Sequence, residues 1–155
     1  MTEGLPAAVF NRILFVCIGN ICRSPTAECL LRERLKATRI EVRSAGLGAM
    51  VGEPMDATAA KVLQEHGFDG SRHRGQQVTA DLLRHSDLIL TMEKSHNLAI
   101  ARTAPEVSGK VFLLGKWQSD IEIPDPYREP RHVFDHVYRL IDKGVASWVP
   151  YLGKP

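Results

Sequence analysis

Short apolar segments alternate with helix-forming segments along almost the whole chain, and this alternation constrains its fold most strongly. The apolar segments, predicted as β-strands, cover residues 12–17, 40–45, 87–92 and 110–114. Helices are predicted over 24–38, 56–66, 79–85 and 95–103. After a proline-rich loop, a last helix is predicted from one apolar face: Phe134, Val137, Ile141, Val145 and Trp148. Strands that alternate with helices predict an α/β fold, a parallel sheet with helices on both faces.

The length and composition are those of an ordinary globular protein. All 155 residues are predicted to form a single domain, with residues 1–11 as a flexible N-terminal extension. The net charge of +2 is small and the basic residues are scattered, so no nucleic-acid partner is expected. Because we find no signal peptide and no apolar run of roughly 18 residues, we expect a soluble cytoplasmic protein that is not inserted in a membrane.

The three cysteines, Cys17, Cys22 and Cys29, are bunched near the N-terminus. An odd set with this distribution is not a disulfide framework. In a reducing compartment these side chains are free thiols. At least one of the three thiols is therefore a candidate for a chemical role in function.

The segment after the first predicted strand carries the most informative motif. Cys17 and Arg23 are separated by five residues, between a buried strand and a helix. This spacing alone occurs by chance too often to be diagnostic. In this context, however, the loop amides and the helix N-terminus can converge on one anion, and Gly19 and Asn20 tolerate the positive φ that such a loop needs. We predict a phosphate-binding loop made of Ile18, Gly19, Asn20, Ile21, Cys22 and Ser24.

Cys17 is a candidate nucleophile, because a thiol beside an arginine and a helix N-terminus ionises more readily than a free thiol. Arg23 can hold two oxygens of a phosphoryl group in its planar guanidinium fork. Ser24, predicted as the helix N-cap before Pro25, can donate its hydroxyl to the thiolate. The alternative is a buried structural cysteine, an arginine in a surface ion pair and a plain capping serine.

A second candidate catalytic group lies in the proline-rich loop. Transfer of a phosphoryl group from an aryl ester needs an acid for the departing oxygen. Asp125 is the candidate, because Pro124 and Pro126 restrict the backbone around its carboxyl group. Tyr127 can present an aromatic face to a substrate ring. Taken alone, this segment is more typical of a solvated Asp-Pro turn, and only its pairing with the Cys17 loop favours catalysis.

These segments resemble the low-molecular-weight protein tyrosine phosphatase family. The matching pieces are residues 17–25, 44–46 and 125–127, and the likeness spans about 12–148. The resemblance implies a four-stranded parallel sheet and hydrolysis of protein phosphotyrosine through a phosphocysteine. It implies that Cys17 is the nucleophile, Arg23 the phosphate binder and Asp125 the general acid. It also implies a hydrogen-bond network that supports the loop, formed by Asn20, Ser24, Ser44 and His73.

One departure from that family concerns the substrate. Many members place a tryptophan or tyrosine after the Ser-Ala-Gly motif, whereas residues 47–52 here contain no aromatic side chain. We therefore predict an apolar substrate rim of Leu47, Met50 and Tyr127. This pattern resembles the Gram-negative branch of the family, which acts on tyrosine autokinases of capsule and exopolysaccharide export. The resemblance thus implies a membrane-bound tyrosine autokinase as the phosphotyrosine protein.

Cys22 indicates redox regulation. It lies five residues after Cys17 in the same tight loop, so the two sulfurs are expected to approach each other. A sulfenic acid on Cys17 could then be trapped as a disulfide before further oxidation. The alternative is that Cys22 is a small buried side chain facing the sheet.

Three other functions fit parts of the pattern. A thioredoxin-coupled arsenate reductase shares the fold and the Cys-Arg loop but needs two further cysteines, and none follows Cys29. A phosphocarrier would need no general acid, and a phosphotyrosine-binding module would need no cysteine. No cofactor and no metal are expected, because His132 and His136 have zinc-like spacing without the accompanying glutamate.

Overall fold

The sheet is built around β1 (Arg12–Cys17), which pairs in parallel with a strand on each side. The computed structural model describes residues 10–152, so residues 1–9 of the predicted extension lie outside the described residues. The strand order is β2-β1-β3-β4, with β2 at Glu41–Gly46, β3 at Leu88–Thr91 and β4 at Val111–Leu113. All three pairings are parallel, which confirms the predicted four-stranded parallel sheet.

Alternate residues of β1 supply two hydrophobic cores, one on each face of the sheet. Ile13, Phe15 and Cys17 belong to the larger core. This core is covered by α1 (Arg23–Arg34), α2 (Ala57–Glu65) and α5 (Arg131–Trp148). Leu14 and Val16 belong to the smaller core, which is covered by α3 (Ala80–His85) and α4 (Lys94–Thr103). Helices therefore lie on both faces, as predicted.

Local sequence signals explain several of the helix ends. Asp56 is the N-cap of α2, where its carboxylate accepts the amide protons of Thr58 and Ala59. Gly67, with φ of 90°, follows the end of that helix and adopts the left-handed conformation that favours glycine. The five apolar residues predicted on the last helix are all buried. Within residues 10–152, no helix is both long and apolar enough to cross a membrane.

Some predicted boundaries were wrong. The first helix ends at Arg34 and not near Thr38, because a separate turn follows it: the Thr38 hydroxyl donates to the Leu35 carbonyl and accepts the amide proton of Ile40. A 3₁₀ turn at Pro105–Lys110 was not predicted; it includes Lys110, and the fourth strand covers only Val111–Leu113. Asn11, placed in the predicted extension, donates its amide proton to Asp87 and accepts one from Glu41.

The strand order determines where a ligand can bind. From β1 the chain passes to β2 on one side and then to β3 on the other, so the order reverses between β1 and β3. In open parallel sheets, ligands bind at such a reversal, beyond the carboxyl ends of the strands. Cys17 ends β1, and Glu93 lies two residues after the end of β3. The loops that follow these two strands form the candidate active site.

Candidate active site

The loop from Cys17 to Cys22 connects β1 directly to α1. Asn20 has a φ of 59°, as predicted, whereas Gly19 is not among the residues with positive φ, so that part of the prediction was wrong. Gly46 at the end of β2 lies against this loop. A Cβ atom on Gly46 would lie 2.3 Å from the carbonyl oxygen of Ile18, so only glycine allows this approach.

A chain of hydrogen bonds leads from the Cys17 sulfur to the partly buried carboxylate of Glu28. The Sγ atom of Cys17 lies 2.8 Å from the Ser24 Oγ atom. The Asn20 amide donates to Ser24 Oγ (2.8 Å) and to Ser44 Oγ (3.0 Å), and the Ser44 hydroxyl donates to Glu28 at 2.5 Å. Because Asn20 already donates to Ser24, the single hydroxyl proton of Ser24 is free to point at the sulfur. The Ser24 hydroxyl is thus placed to donate a hydrogen bond to the Cys17 sulfur.

The prediction that Ser24 caps α1 was wrong. The helix begins one residue earlier, at Arg23, and its N-cap Cys22 makes no side-chain capping bond. Ser24 cannot act as the cap because its hydroxyl is engaged by Cys17 and Asn20. The first amides of α1 thus have no side-chain cap and can bind an anion.

The loop is also held from the segment before α3. The Nε2 atom of His73 lies 2.5 Å from the carbonyl oxygen of Asn20. Gln76 donates its backbone amide proton to Asn20 Oδ1 (2.9 Å) and its side-chain amide to the Ser44 carbonyl (2.9 Å). The predicted support residues Ser44 and His73 therefore both contact the loop network. Gln76, which the sequence did not single out, joins them.

Arg23 is buried at the first turn of α1, with 2% of its side chain exposed. Its Nη1 atom donates to Glu93 Oε2 at 2.5 Å and to the carbonyl oxygen of Ile123 at 2.8 Å. Its Nη2 atom lies 3.8 Å from Asp125 Oδ2. A buried guanidinium needs such partners, because removal from water disfavours an isolated charge. The partners also fix the direction of the guanidinium plane.

Asp125 is about half exposed, and its Oδ1 atom accepts the amide proton of Tyr127 at 3.1 Å. The carboxyl group is therefore oriented by its own turn while one oxygen faces Arg23. Asp125 lines the same cavity as Cys17 and Arg23, a cavity of about 210 Å³. The structure thus brings the three predicted catalytic residues together, although they are separated by up to 108 positions in the chain, from Cys17 to Asp125.

The rim of this cavity differs in part from the prediction. Met50 and Tyr127 line it, as expected, but Leu47 is not among the lining residues and packs against the smaller core instead. Gly48 and Ile18 line the cavity in its place. The reason is the loop geometry: the amides of Leu47 and Gly48 bond to the carbonyls of Cys17 and Ile18, which turns the Leu47 side chain inward.

Cys22 is buried, and it lines the catalytic cavity as well as belonging to the larger core. Burial, followed by the carboxylates of Asp56 and Asp125, raises the pKa of the Cys22 thiol far above its usual range, against the lowering effect of Arg23. The thiol of Cys22 is thus neutral near pH 7.

His96 lies in the buried region next to Glu93. Its Nε2 atom is 3.6 Å from Glu93 Oε2, and its Nδ1 atom has no hydrogen-bond partner among the described residues. Burial, followed by the positive charge of Arg23, lowers the pKa of His96, while Glu93 acts in the opposite direction. The imidazole is therefore disfavoured as a cation.

Sequence reasoning missed Glu28 and Glu93. Glu28 lies four residues after Ser24, on the same face of α1, and this spacing could have identified it. Glu93 follows β3 just as the Cys17 loop follows β1. Because the two strands were predicted to be parallel, their carboxyl ends, and with them Glu93 and the Cys17 loop, were expected at the same edge of the sheet. Arg23 also donates to the backbone carbonyl oxygen of Ile123. Every residue has such an oxygen, so no residue type in the sequence could have indicated this contact.

Comparisons with known proteins agree with this geometry. The chain matches the family model for low molecular weight phosphotyrosine protein phosphatase over residues 12–155. It is 48% identical to the low molecular weight protein-tyrosine-phosphatase Wzb of Salmonella typhimurium, over 95% of this chain and 100% of Wzb. The crystal structure of the tyrosine phosphatase AmsI of Erwinia amylovora is similar with a TM-score of 0.89 and 48% identity, covering 94% of this chain and 95% of AmsI.

A complex of Vibrio vulnificus Wzb with benzylphosphonate is similar to the same degree, with a TM-score of 0.89. It is 44% identical and covers 92% of this chain and 99% of that chain. The likeness therefore extends from the first strand to the last helix and includes the segments that form the cavity. Sequence motifs, sheet order and relatives agree that this chain belongs to the low-molecular-weight phosphotyrosine protein phosphatase family.

Proposed function

We propose that this enzyme hydrolyses protein phosphotyrosine through a covalent phosphocysteine on Cys17. The observation that carries the proposal is that Cys17, Arg23 and Asp125 line one cavity, with the Ser24 hydroxyl 2.8 Å from the sulfur. A nucleophile, a phosphate-binding cation and an acid are the three groups that phosphoryl transfer from an aryl ester requires.

In the first step, the Cys17 thiolate attacks phosphorus. The S–P bond forms while the bond between phosphorus and the tyrosyl oxygen breaks. Asp125 gives its proton to the departing oxygen, which leaves as neutral tyrosine. Arg23 holds two non-bridging oxygens of the transferring group and offsets its charge, together with the loop amides.

In the second step, water attacks the phosphocysteine. Asp125, now a carboxylate, takes a proton from the water, the P–S bond breaks and inorganic phosphate forms. The Ser24 hydroxyl donates to the sulfur as it becomes a thiolate again, which makes the sulfur a better leaving group. Asn20 supports this step indirectly, because it holds Ser24 in place.

The rim of the cavity favours an aromatic substrate. Ile18, Met50 and Tyr127 are each about 36–44% exposed and line the entrance to the cavity that contains Cys17. A flat ring can pass between apolar and aromatic side chains and reach the loop with its phosphate. A phosphoserine side chain is too short to reach the sulfur while its backbone stays outside.

The proposed substrate is the phosphorylated tail of a membrane-bound tyrosine autokinase that controls exopolysaccharide production. Support comes from the similarity to Wzb and AmsI and from the aliphatic residues beside the site. The enzyme would act from the cytoplasm, where reducing conditions keep Cys17 as a thiol. A Cys17→Ser variant should bind the phosphorylated autokinase of the same organism without releasing its phosphate.

The test of the proposed reaction compares two peptides that differ only in carrying phosphotyrosine or phosphoserine. We expect the phosphotyrosine peptide to be hydrolysed at least about tenfold faster, with the rate unchanged by a chelator. Met50→Ala should reduce this preference, whereas Leu98→Ala, which truncates an exposed apolar residue outside the cavity, should not. Equal rates on the two peptides would contradict the proposal.

A further inference from the structure

A second polar cavity lies beside the residues that hold Asn20. It has a volume of about 370 Å³ and lies between α1, β2 and residues 69–76. We call it the basic cleft. Its lining includes His73, Gln76 and Ser44, which all bind Asn20 from outside the catalytic loop.

The basic cleft has an excess of positive charge. Its lining contains four arginines, Arg32, Arg43, Arg72 and Arg74, but only two carboxylates, Glu28 and Asp69. Both oxygens of Glu28 are already bound, one by Ser44 and one by Arg32. Arg43 is paired with Glu41. The carboxylates of the cleft therefore do not neutralise all of its arginines.

Of the four arginines of the cleft, Arg72 and Arg74 form no ion pair with a carboxylate of residues 10–152. Arg72 makes no hydrogen bond or ion pair with any residue between 10 and 152. Arg74 donates only to the backbone carbonyls of Ser71 and His73. Asp69, the nearest carboxylate in sequence, accepts the amide proton of Ser71; hydrogen bonds from Ser71 are the main reason that its pKa is lowered, and the charge of Arg72 adds a smaller lowering. Two exposed guanidinium groups thus border the cleft; Arg74 uses its Nη1 atom for backbone carbonyls, and its other nitrogen atoms remain available as donors.

The excess of positive charge in the basic cleft is not shared by another large surface cavity. A larger cavity of about 480 Å³ lies near the start of β1 and β2. Its lining contains two arginines, Arg12 and Arg43, and two carboxylates, Glu41 and Asp81. Arg12 is paired with Asp87 and Arg43 with Glu41. That cavity is electrically balanced, whereas the basic cleft is not.

We propose that the basic cleft is a second anion-binding site, which takes a small molecule with two linked phosphoryl groups. Arginine forks match phosphoryl oxygens in a bidentate manner, so Arg72 and Arg74 could each hold one group. The site is separate from the catalytic cavity, because Arg72 and Arg74 do not line that cavity. It requires neither Cys17 nor Asp125.

A ligand in the basic cleft would act on the catalytic loop through a short path. Arg72 and Arg74 flank His73, whose ring contacts the carbonyl oxygen of Asn20. Gln76, in the same segment, donates its amide proton to the Asn20 side chain. Ordering this segment would therefore stabilise the position of Asn20. The expected signature is a change at Gln76 that depends on Arg72 and Arg74.

The test is a titration of nitrogen-15-labelled protein with sodium pyrophosphate in magnesium-free buffer, followed by NMR at each backbone amide. Amides of residues 70–76 should shift with a dissociation constant below about 1 mM. Amides of residues 18–23 report the catalytic loop in the same experiment. The paired variant Arg72→Gln, Arg74→Gln should weaken the response of residues 70–76 at least about tenfold and leave the catalytic-loop response intact.

The matched control removes the same charge elsewhere. Arg39→Gln with Arg102→Gln replaces two exposed arginines that do not line the cleft and should leave both responses unchanged. The charge-conserving pair Arg72→Lys, Arg74→Lys should retain part of the response. Intact catalytic-loop shifts show that each variant is folded. The absence of shifts in residues 70–76 up to about 10 mM pyrophosphate, or equal weakening by the control pair, would overturn the proposal.

Discussion

The Nη1 atom of Arg23 lies 2.5 Å from the Oε2 atom of Glu93, which joins the loop after β1 to the loop after β3. Glu93 is the N-cap residue of α4, yet its carboxylate makes no capping bond and is directed at Arg23. The pair spans the point where the strand order reverses. Glu93 is therefore placed to hold the guanidinium in the plane that a phosphoryl group requires.

Replacement of Glu93 should lower kcat without changing the mechanism of the reaction. Glu93→Gln keeps the shape but loses the charge, so Arg23 should be held less firmly and kcat should fall about 10- to 100-fold. The loss should be equal for aryl phosphates with good and poor leaving groups, and inhibition by inorganic phosphate should weaken. Glu129→Gln, at an exposed position that does not line the catalytic cavity, is the control. A change of less than about twofold in kcat would contradict a positioning role.

Asp125→Asn, unlike Glu93→Gln, should reduce kcat by a factor that depends on the leaving group. Without a proton donor, hydrolysis of phosphotyrosine should slow by about 10²- to 10⁴-fold. Aryl phosphates with acidic leaving groups should be affected much less, because their oxygens depart without a proton. The measurement is kcat across a series of aryl phosphates of graded acidity. A loss of the same size throughout the series would show that Asp125 is not the general acid.

Cys22 should protect Cys17 from irreversible oxidation, and this protection should increase with pH. Peroxide converts the Cys17 thiolate to a sulfenic acid, and Cys22 then displaces water to form a disulfide. The raised pKa of Cys22 keeps its thiolate scarce, so the trapping rate should rise about tenfold per pH unit. Dithiothreitol should restore more activity after peroxide treatment at pH 8 than at pH 6.

The comparison variant for this prediction is Cys22→Ser, with Cys29→Ser as the matched control. Cys29 is half-buried and does not line the catalytic cavity. Cys22→Ser should keep activity but recover poorly after peroxide, since Cys17 would proceed to sulfinic acid. Full recovery of Cys22→Ser by dithiothreitol would rule out the protective disulfide.

His96 should make the fold less stable in mild acid. Burial, together with Arg23, lowers its pKa below the usual value of 6.5, so the unfolded chain binds a proton at a higher pH than the folded protein. Its contribution to the free energy of unfolding is present above about pH 6.5 and is lost as the pH falls. Urea unfolding between pH 7.5 and 5.5 measures this loss. His96→Gln should flatten the dependence, whereas exposed His132→Gln should not; identical slopes would contradict the assignment.

Much of the site could be predicted from the sequence because it lies in two short segments with strong local constraints. Cys17 and Arg23 are joined by a loop of five residues between a strand and a helix, so their proximity follows from chain geometry. Asp125 could be paired with them only through the acid that the reaction requires and through the family resemblance, since nothing local shows where a proline-rich loop folds back. The structure brings it to Arg23 because Ile123 bonds to both Met92 and Arg23.

The errors have a common physical origin. Ser24 matches a helix cap by residue type, but its hydroxyl is taken by a side chain and a sulfur that local reasoning does not see. Leu47 is apolar and near the site in sequence, but backbone bonds to Cys17 turn it toward the core. Glu93 and Glu28 were missed because each bonds to a residue of another segment, Glu93 to Arg23 and Glu28 to Ser44, which the residue types alone do not show. When several residues have the right type for a cap or for the cavity rim, contacts with distant parts of the chain decide which of them takes that position.

The most direct test of the account is to look for a phosphoryl group on Cys17 during turnover. The enzyme is mixed with an aryl phosphate, quenched within the first turnovers, and its peptides are analysed by mass spectrometry. We predict a phosphoryl group on the peptide that contains Cys17, and for Cys17→Ser neither this adduct nor measurable hydrolysis. A turning-over enzyme without phosphate on Cys17, or Cys17→Ser activity within about tenfold of the wild type, would contradict the covalent mechanism.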